Sequence, residues 1–212
     1  MAEVAGMQYR AVLFDLGGVV VGSPLHAITA YERAHAIPSG FINRVVVDTV
    51  PSGGWSRLER GELTLEEFYP VFDGDCAAAG VAISARELMG LVAQVIAPRP
   101  AMLEAIRRIR AHGLLTGAIT NNWVAEDGGT HALKPHFDAF IESAVVGVRK
   151  PDPRIFHLAC DQLGIAPADA VFLDDIGSNL KTARVLGMTT IKVDHPDTAL
   201  VELQTLLGFP LV

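Results

Sequence analysis

Hydrophobic and polar positions along this chain fall into two regimes. From Pro100 onward, short apolar runs alternate with segments in which apolar residues recur every three or four positions. That alternation predicts a helix over Ala101 to His112, a strand over Leu114 to Ile119, a shorter helix near Leu133 to Phe137 and a strand around Ala139 to Ser143. It continues with a helix over Asp152 to Leu163, a strand over Ala170 to Leu173, a helix over Ser178 to Leu186, a strand over Thr189 to Val193 and a closing helix. Gly113, Gly164 and Gly187 fall where helices take a left-handed C-terminal residue. Near the start, Tyr9 to Leu16 (YRAVLFDL) is one more apolar run, stopping in Asp-Leu-Gly-Gly, as a buried strand feeding a glycine-permitted turn would.

Strands that alternate with helices of this length join in parallel through right-handed crossovers, which predicts an α/β fold: a three-layer Rossmann-like parallel sheet with helices on both faces. The second regime, residues 22–98, breaks the alternation. It reads as helical segments separated at Ile37 to Gly40, Val50 to Gly54 and Asp73 to Cys76. The expected organisation is therefore a core of residues 1–21 and 99–212, with residues 22–98 as an α-helical cap inserted after the first strand.

Half of the 212 residues are hydrophobic and 19% are charged, enough apolar surface to offset the entropy of ordering the chain. No apolar stretch approaches the roughly 18 residues a membrane span needs, and the first residues lack the basic start and apolar run of a secretory signal, so a cytoplasmic protein without membrane insertion is expected. A net charge of −7 argues against nucleic acid as a partner. Cys76 and Cys160 match no metal or redox spacing and are expected as reduced, packed thiols.

In a sheet of this class the ligand lies beyond the carboxyl ends of the strands. Four groups stand directly after apolar runs: Asp15 in VLFDLGG, Thr120 and Asn121 in GAITNN, Lys150 in VRKPDP, and Asp174 with Asp175 in VFLDDIGSN. A strand-terminal Asp is commonly a turn residue, and a Lys before Pro is commonly solvated. Together and in this order they fit phosphoryl transfer through an aspartyl-phosphate, with Asp15 as the nucleophile. Attack by one anion on another requires cations. Magnesium, which prefers oxygen donors, can be held by Asp15, Asp175 and the main-chain carbonyl of Gly17. Lys150 supplies a fixed charge, Thr120 and the backbone around Asn121 supply hydrogen bonds to phosphate oxygens, and Asp174 steadies Lys150 or shares the metal through water.

This set resembles the haloacid dehalogenase-like superfamily in all four motifs and over nearly the whole chain. The segments WSRLERGELTLEEF, TNNWV, HFDAFIESAVVGVRKPDPRIFHLACDQLG and VFLDDIGSNLKTARVLGMTTIKV are similar to the N-terminal phosphatase domain of soluble epoxide hydrolase, and to the related N-terminal domain of an acyl-CoA dehydrogenase fusion protein. The resemblance implies a Rossmann-like core, a helical cap, magnesium dependence and a small-molecule phosphate ester as substrate.

One position departs from the phosphatase pattern. Where those enzymes carry a second Asp two residues after the nucleophile, as general acid and base, this chain has Gly17. Positioned acid–base catalysis contributes about 10²–10⁴-fold, so a phosphatase without it would be weakened, most of all on poor leaving groups. His26, Asp48 and Glu59 are conceivable substitutes, each more commonly an ordinary surface or capping residue. Two rivals follow: a catalytically silent binding module that keeps the fold, and a metal-free dehalogenase, which the Asp174-Asp175 pair disfavours. Leu25, Trp55, Leu58, Phe68 and Phe72 would suit a lipid-like or aromatic ester, or simply pack the cap's own helices. A monomer and a homodimer are both compatible with this pattern.

Overall fold

A computed structural model describes residues 9–124 and 129–211. Its sheet contains β1 (Ala11–Phe14), β2 (Leu115–Thr120), β3 (Ala139–Glu142), β4 (Ala170–Asp174) and β5 (Thr189–Lys192). All pairs are parallel, in the order β3-β2-β1-β4-β5, with β1 central. The four residues of β1 are wholly buried, as expected of a strand covered on both faces. Successive side chains of a strand point to opposite faces. Val12 and Phe14 accordingly join one hydrophobic cluster, with α6 (Pro100–Ala111) and α10 (Pro196–Leu207). Ala11 and Leu13 join the other, with α8 (Pro153–Leu163) and α9 (Gly177–Val185). The three layers expected from the alternation are thus present.

Between β1 and α6 lie α1 (Pro24–Ala34), α2 (Phe41–Asp48), α3 (Gly54–Glu59), α4 (Leu65–Ala78) and α5 (Ala85–Val95). These helices bury a hydrophobic cluster of their own, centred on Tyr31, Phe68, Phe72 and Leu88. Trp55, Leu58, Phe68 and Phe72 face into it, while Leu25 remains 37% exposed. The chain passes from the sheet to the helices and back through neighbouring linkers. Val21 bridges Pro98 in antiparallel fashion, and the Arg99 amide donates to the Val20 carbonyl at 2.8 Å.

Local chemistry moved three expected boundaries. α4 runs straight through Asp73 to Cys76, where a break was expected. Asp73 and Asp75 accept hydrogen bonds from the first amides of α5 and α3, those of Ala85 and Gly54, at 2.7 Å each, and so satisfy donors that a helix start leaves unpaired. Cys76 fills the cluster beneath them. The helix expected near Leu133 to Phe137 is instead a 3₁₀ segment, Gly129–His136, because Pro135 within it has no amide to donate to an α-helical ladder. β2 ends one residue later than expected, so Thr120 itself pairs, opposite Glu142. Both cysteines are free and buried; burial pushes the Cys76 thiol up to about 12 and that of Cys160 up to about 11. Among the described residues no helix is long and apolar enough to cross a membrane.

Candidate active site

The order of strands reverses at β1: the chain builds outward to β3 on one side and then crosses to β4 on the other. Polar residues at the carboxyl ends of β1, β2 and β4 therefore meet above one crevice. Register aligns Phe14 with Leu173, which sets Asp15 and Asp174 side by side. The Asp15 amide donates to the Leu173 carbonyl at 2.8 Å and fixes that alignment.

Lys150 is 1% exposed, and its ammonium lies 2.9 Å from Asp15 Oδ1 and 2.7 Å from Asp174 Oδ2. Burial alone would lower the ammonium's pKa, but the two carboxylates outweigh it and hold the pKa above its ordinary value. Asp174 is saturated: Oδ1 accepts from the Ile176 amide at 2.7 Å, and Asn179 Nδ2 reaches both oxygens at 3.1 Å. Asp15 Oδ1 also accepts from the Leu16 amide at 2.6 Å, while Oδ2 has no hydrogen-bond partner among the described residues.

Asp175 completes the cluster. One oxygen of each of Asp15, Asp174 and Asp175 lies within 4.8 Å of the others. Burial, reinforced by Asp174, pushes the Asp175 carboxyl up to about 6. Burial also raises Asp15, with Lys150 opposing and the two neighbouring carboxylates adding to the rise. Three carboxylates thus face a single ammonium, and that excess of negative charge suits a divalent cation bound by hard oxygen donors. Gly18 makes the approach of Asp175 possible: a Cβ there would stand 2.2 Å from Asp175 Oδ2, and its φ of +78° is itself one that favours glycine. Gly17 differs, because its φ of −62° suits any residue and a Cβ would stand 3.3 Å from Pro24 Cδ. A side chain at position 17 requires only a slight shift of the proline.

Thr120, 3% exposed, ends β2 beside this cluster. The side chain of Asn121 clamps the main chain of Lys150: Oδ1 accepts from its amide at 2.8 Å and Nδ2 donates to its carbonyl at 3.0 Å. That leaves the backbone around Asn121, rather than its side chain, to meet a ligand. All six residues singled out in the sequence therefore gather at the strand ends. Among the conceivable acids, His26 and Asp48 are exposed on α1 and α2, and Glu59 reaches Asn121, whose Nδ2 lies 3.4 Å from its Oε2. Three contributors escaped sequence reasoning. Gly18 and Asn179 lie inside motifs whose acids stand out, and nothing along the chain marks Arg149, the residue before Lys150.

A family model described as haloacid dehalogenase-like hydrolase matches residues 9–187. The chain is 44% identical to acyl-CoA dehydrogenase family member 10 of Mus musculus, over 97% of its own length and 20% of that protein. It is 35% identical to bifunctional epoxide hydrolase 2 of Sus scrofa, over 97% of its own length and 40% of that protein. The chain therefore spans less than half of either relative. Sesquiterpene phosphatase astK of Aspergillus oryzae matches at 23% identity, over 94% of this chain and 97% of that one. Among solved structures, an enzyme of the same superfamily from Bacteroides thetaiotaomicron, in complex with magnesium and inorganic phosphate, shares the fold with a TM-score of 0.61 at 20% identity. That match covers 87% of this chain and 93% of the other.

The unequal partners of Asp174 and Asp175 predict opposite stability effects. Asp174→Leu strips the buried ammonium of one counter-charge and leaves the Ile176 amide and Asn179 without an acceptor, an expected loss of about 3–5 kcal/mol. Asp175→Ala removes a carboxylate repelled by its neighbour and is expected to leave the stability of metal-free protein unchanged or raised. Urea midpoints of both variants in a chelator test the contrast, and a large loss for Asp175→Ala would contradict it.

Proposed function

Since the chain belongs to the haloacid dehalogenase-like hydrolase family, we propose that it is a magnesium-dependent phosphohydrolase that cleaves a small-molecule phosphate monoester through an aspartyl-phosphate on Asp15. The carrying observation is the uncompensated cluster of three carboxylates around Lys150. A metal-free dehalogenase needs no divalent cation, so the acidic cluster of Asp15, Asp174 and Asp175 disfavours that rival. The relative named as a phosphatase and the fold relative holding magnesium and phosphate support the same reading.

In this mechanism Lys150 and the Leu16 amide hold Asp15 Oδ1, leaving Oδ2 to attack phosphorus. Thr120 and the backbone around Asn121 bind the phosphate oxygens, and Lys150 balances the charge that gathers as the ester P–O bond breaks and its electron pair leaves with the alcohol oxygen. Water then attacks the phosphorus of the aspartyl-phosphate, releasing inorganic phosphate and restoring Asp15. Magnesium, held by Asp15, Asp175 and the Gly17 carbonyl, would neutralise the phosphoryl oxygens and orient the group.

Gly17 offers no proton to the leaving oxygen, so esters of acidic alcohols, aryl phosphates among them, are the favoured substrates. Glu59 does not fill the gap, because Trp55 Nε1 and Arg149 already occupy both of its oxygens. Residues 22–98 act as a cap on the core of residues 1–21 and 99–212. Trp55, Leu58, Phe68 and Phe72 pack within the cap's own helices, so of the five apolar residues weighed for a substrate only Leu25 is exposed. Buried, unpaired thiols fit a cytoplasmic setting.

The same Gly17 motivates the rival reading, a silent module that binds but turns nothing over. Hydrolysis of a panel of phosphate monoesters by wild-type and Asp15→Asn protein, with and without magnesium, separates the two. Magnesium-dependent phosphate release that vanishes in the variant is expected; no release from any ester would favour the silent module. Gly17→Asp, which the backbone at that position accepts, is expected to raise the rate on alkyl phosphates by up to about 10²-fold and on aryl phosphates far less. Equal gains on both would place the deficit elsewhere than in protonation.

The raised pKa values also set the response to pH. Folded, metal-free protein holds protons on Asp15 and Asp175 at pH values where the unfolded chain has released them, so its stability falls as pH rises through that window, for Asp175 between about 4 and 6. Magnesium requires the ionised forms, so the stabilisation it confers grows over the same range. The rise in Tm on adding magnesium is expected to be larger at pH 8 than at pH 5. A rise independent of pH would mean that the ion binds elsewhere.

A further inference from the structure

The helical unit touches the site through Pro24 at the start of α1, beside Gly17, and through the short helix α3. Glu59, at the end of α3, is 7% exposed, and both of its oxygens point into the seam between the helices and the sheet. Oε1 accepts from Trp55 Nε1 at 2.9 Å, and Oε2 stands 2.5 Å from Arg149 Nε and 3.4 Å from Asn121 Nδ2. From the other side, Arg149 donates to Ser56 Oγ of the same helix at 2.9 Å. Arg149 directly precedes Lys150, and Asn121 is the residue that clamps the Lys150 main chain. One carboxylate of the helical unit therefore meets both residues that locate Lys150.

The surroundings are built for close approach at this seam. Gly61, with φ of +69°, turns the chain after α3 so tightly against the short helix Ser143–Val146 that follows β3 that a Cβ would stand 2.2 Å from the Ala144 carbonyl oxygen. Trp55 lies edge-on to Trp123, two residues beyond Asn121, with ring centroids 6.5 Å apart. The helical unit's other attachment is the pair of linkers around Val21 and Pro98. A tether at one end and an ion pair at the other are the elements of a hinged lid.

We propose that Glu59 and Arg149 form a latch that holds the helical unit closed on the core and, through Arg149 and Asn121, fixes the main chain of Lys150 for catalysis. Glu59 is then a positioning residue. Its carboxylate touches no reacting atom, but it supplies the counter-charge for a guanidinium whose side chain is only 19% exposed. Removing either partner leaves the other charge poorly solvated in the seam, which favours opening. Water then enters, and Lys150 loses its restraint. A displacement of about 1 Å in a catalytic group is enough to lower a rate by about 10²-fold.

The kinetic arm of the test rests on the phosphohydrolase reading, whereas the fluorescence arm does not. Trp55 and Trp123 are the only tryptophans in the chain and face one another across this seam, so tryptophan fluorescence excited at the red edge reports on the seam and on the packing of Trp55 beside it. Wild type, Glu59→Gln, Arg149→Gln and the double variant are compared by kcat/KM on an aryl phosphate with magnesium and by acrylamide quenching. Each single variant is expected to lose about 10²-fold in kcat/KM and to gain in quenching, with the double variant no worse than either single. Arg149→Lys, which keeps the charge but not the forked donor, is expected to lose less than Arg149→Gln. Losses that multiply in the double variant would overturn the latch. So would a lower Tm for Glu59→Gln with kcat/KM and quenching at wild-type levels, which would mark the pair as merely structural. Where wild type hydrolyses no ester, the phosphohydrolase reading fails by itself and the quenching cycle still decides: a non-additive gain supports the latch, and an unchanged or additive signal overturns it. Should Glu59→Gln not fold, Glu59→Asp, which keeps the charge but withdraws it by one methylene, is judged by the same criteria.

Discussion

An ammonium buried between two carboxylates organises this molecule. Lys150 can lie at 1% exposure only because Asp15 and Asp174 stand within 3 Å of it, and they do so only because β1 and β4 pair in the register that sets them side by side. An isolated charge in such a place would be driven to its neutral form. The two carboxylates overcompensate, and the remainder of the site manages the surplus: Asn179 and the Ile176 amide absorb the charge of Asp174, while Gly18 admits Asp175. The unequal saturation of two adjacent aspartates, one closed by hydrogen bonds and one left open, separates a structural acid from one free to bind a cation.

Sheet and helices divide the chemistry between them. On the proposed mechanism the ends of β1 and β2 supply the nucleophile and the phosphate contacts, held by backbone pairing, while the Asn121 side chain holds the main chain of the Lys150 cation beside them. The acid that would serve the leaving group belongs to the turn after β1, and there the chain has Gly17 beside Pro24. A site so arranged is strong at binding and attacking a phosphoryl group and weak at assisting the alcohol that departs.

Much of this was legible in the sequence, for identifiable reasons. Parallel strands buried on both faces are continuous apolar runs, so their ends are sharp, and the polar residues at those ends, Asp15, Thr120, Asn121, Asp174 and Asp175, announce themselves. Lys150 follows no strand directly but stands before a predicted helix, and the structure brings it in by way of the Asn121 clamp. What remained hidden depends on contacts made through space. Glu59 reads as a conceivable acid or an ordinary surface or capping residue and Arg149 carries no signal, since nothing along the chain indicates that they meet. The break expected at Asp73 to Cys76 is a helix because its two aspartates are engaged by the amides of other helices. The apolar period around Pro135 suggests an α-helix, whereas the missing amide of the proline suits the 3₁₀ segment found there.

Asp15 stands near the beginning of the chain and Asp174 near its end, and the register that joins them is set between strands with most of the sequence threaded between. Pairings of such long range close late, because the intervening chain must be ordered first. The charged cluster therefore depends on contacts of long sequence separation, and a chain in which β1 and β4 have not paired holds Asp15 apart from Asp174. On the phosphohydrolase reading, catalytic competence belongs to the finished fold, since the nucleophile and its lysine meet only through that long-range pairing.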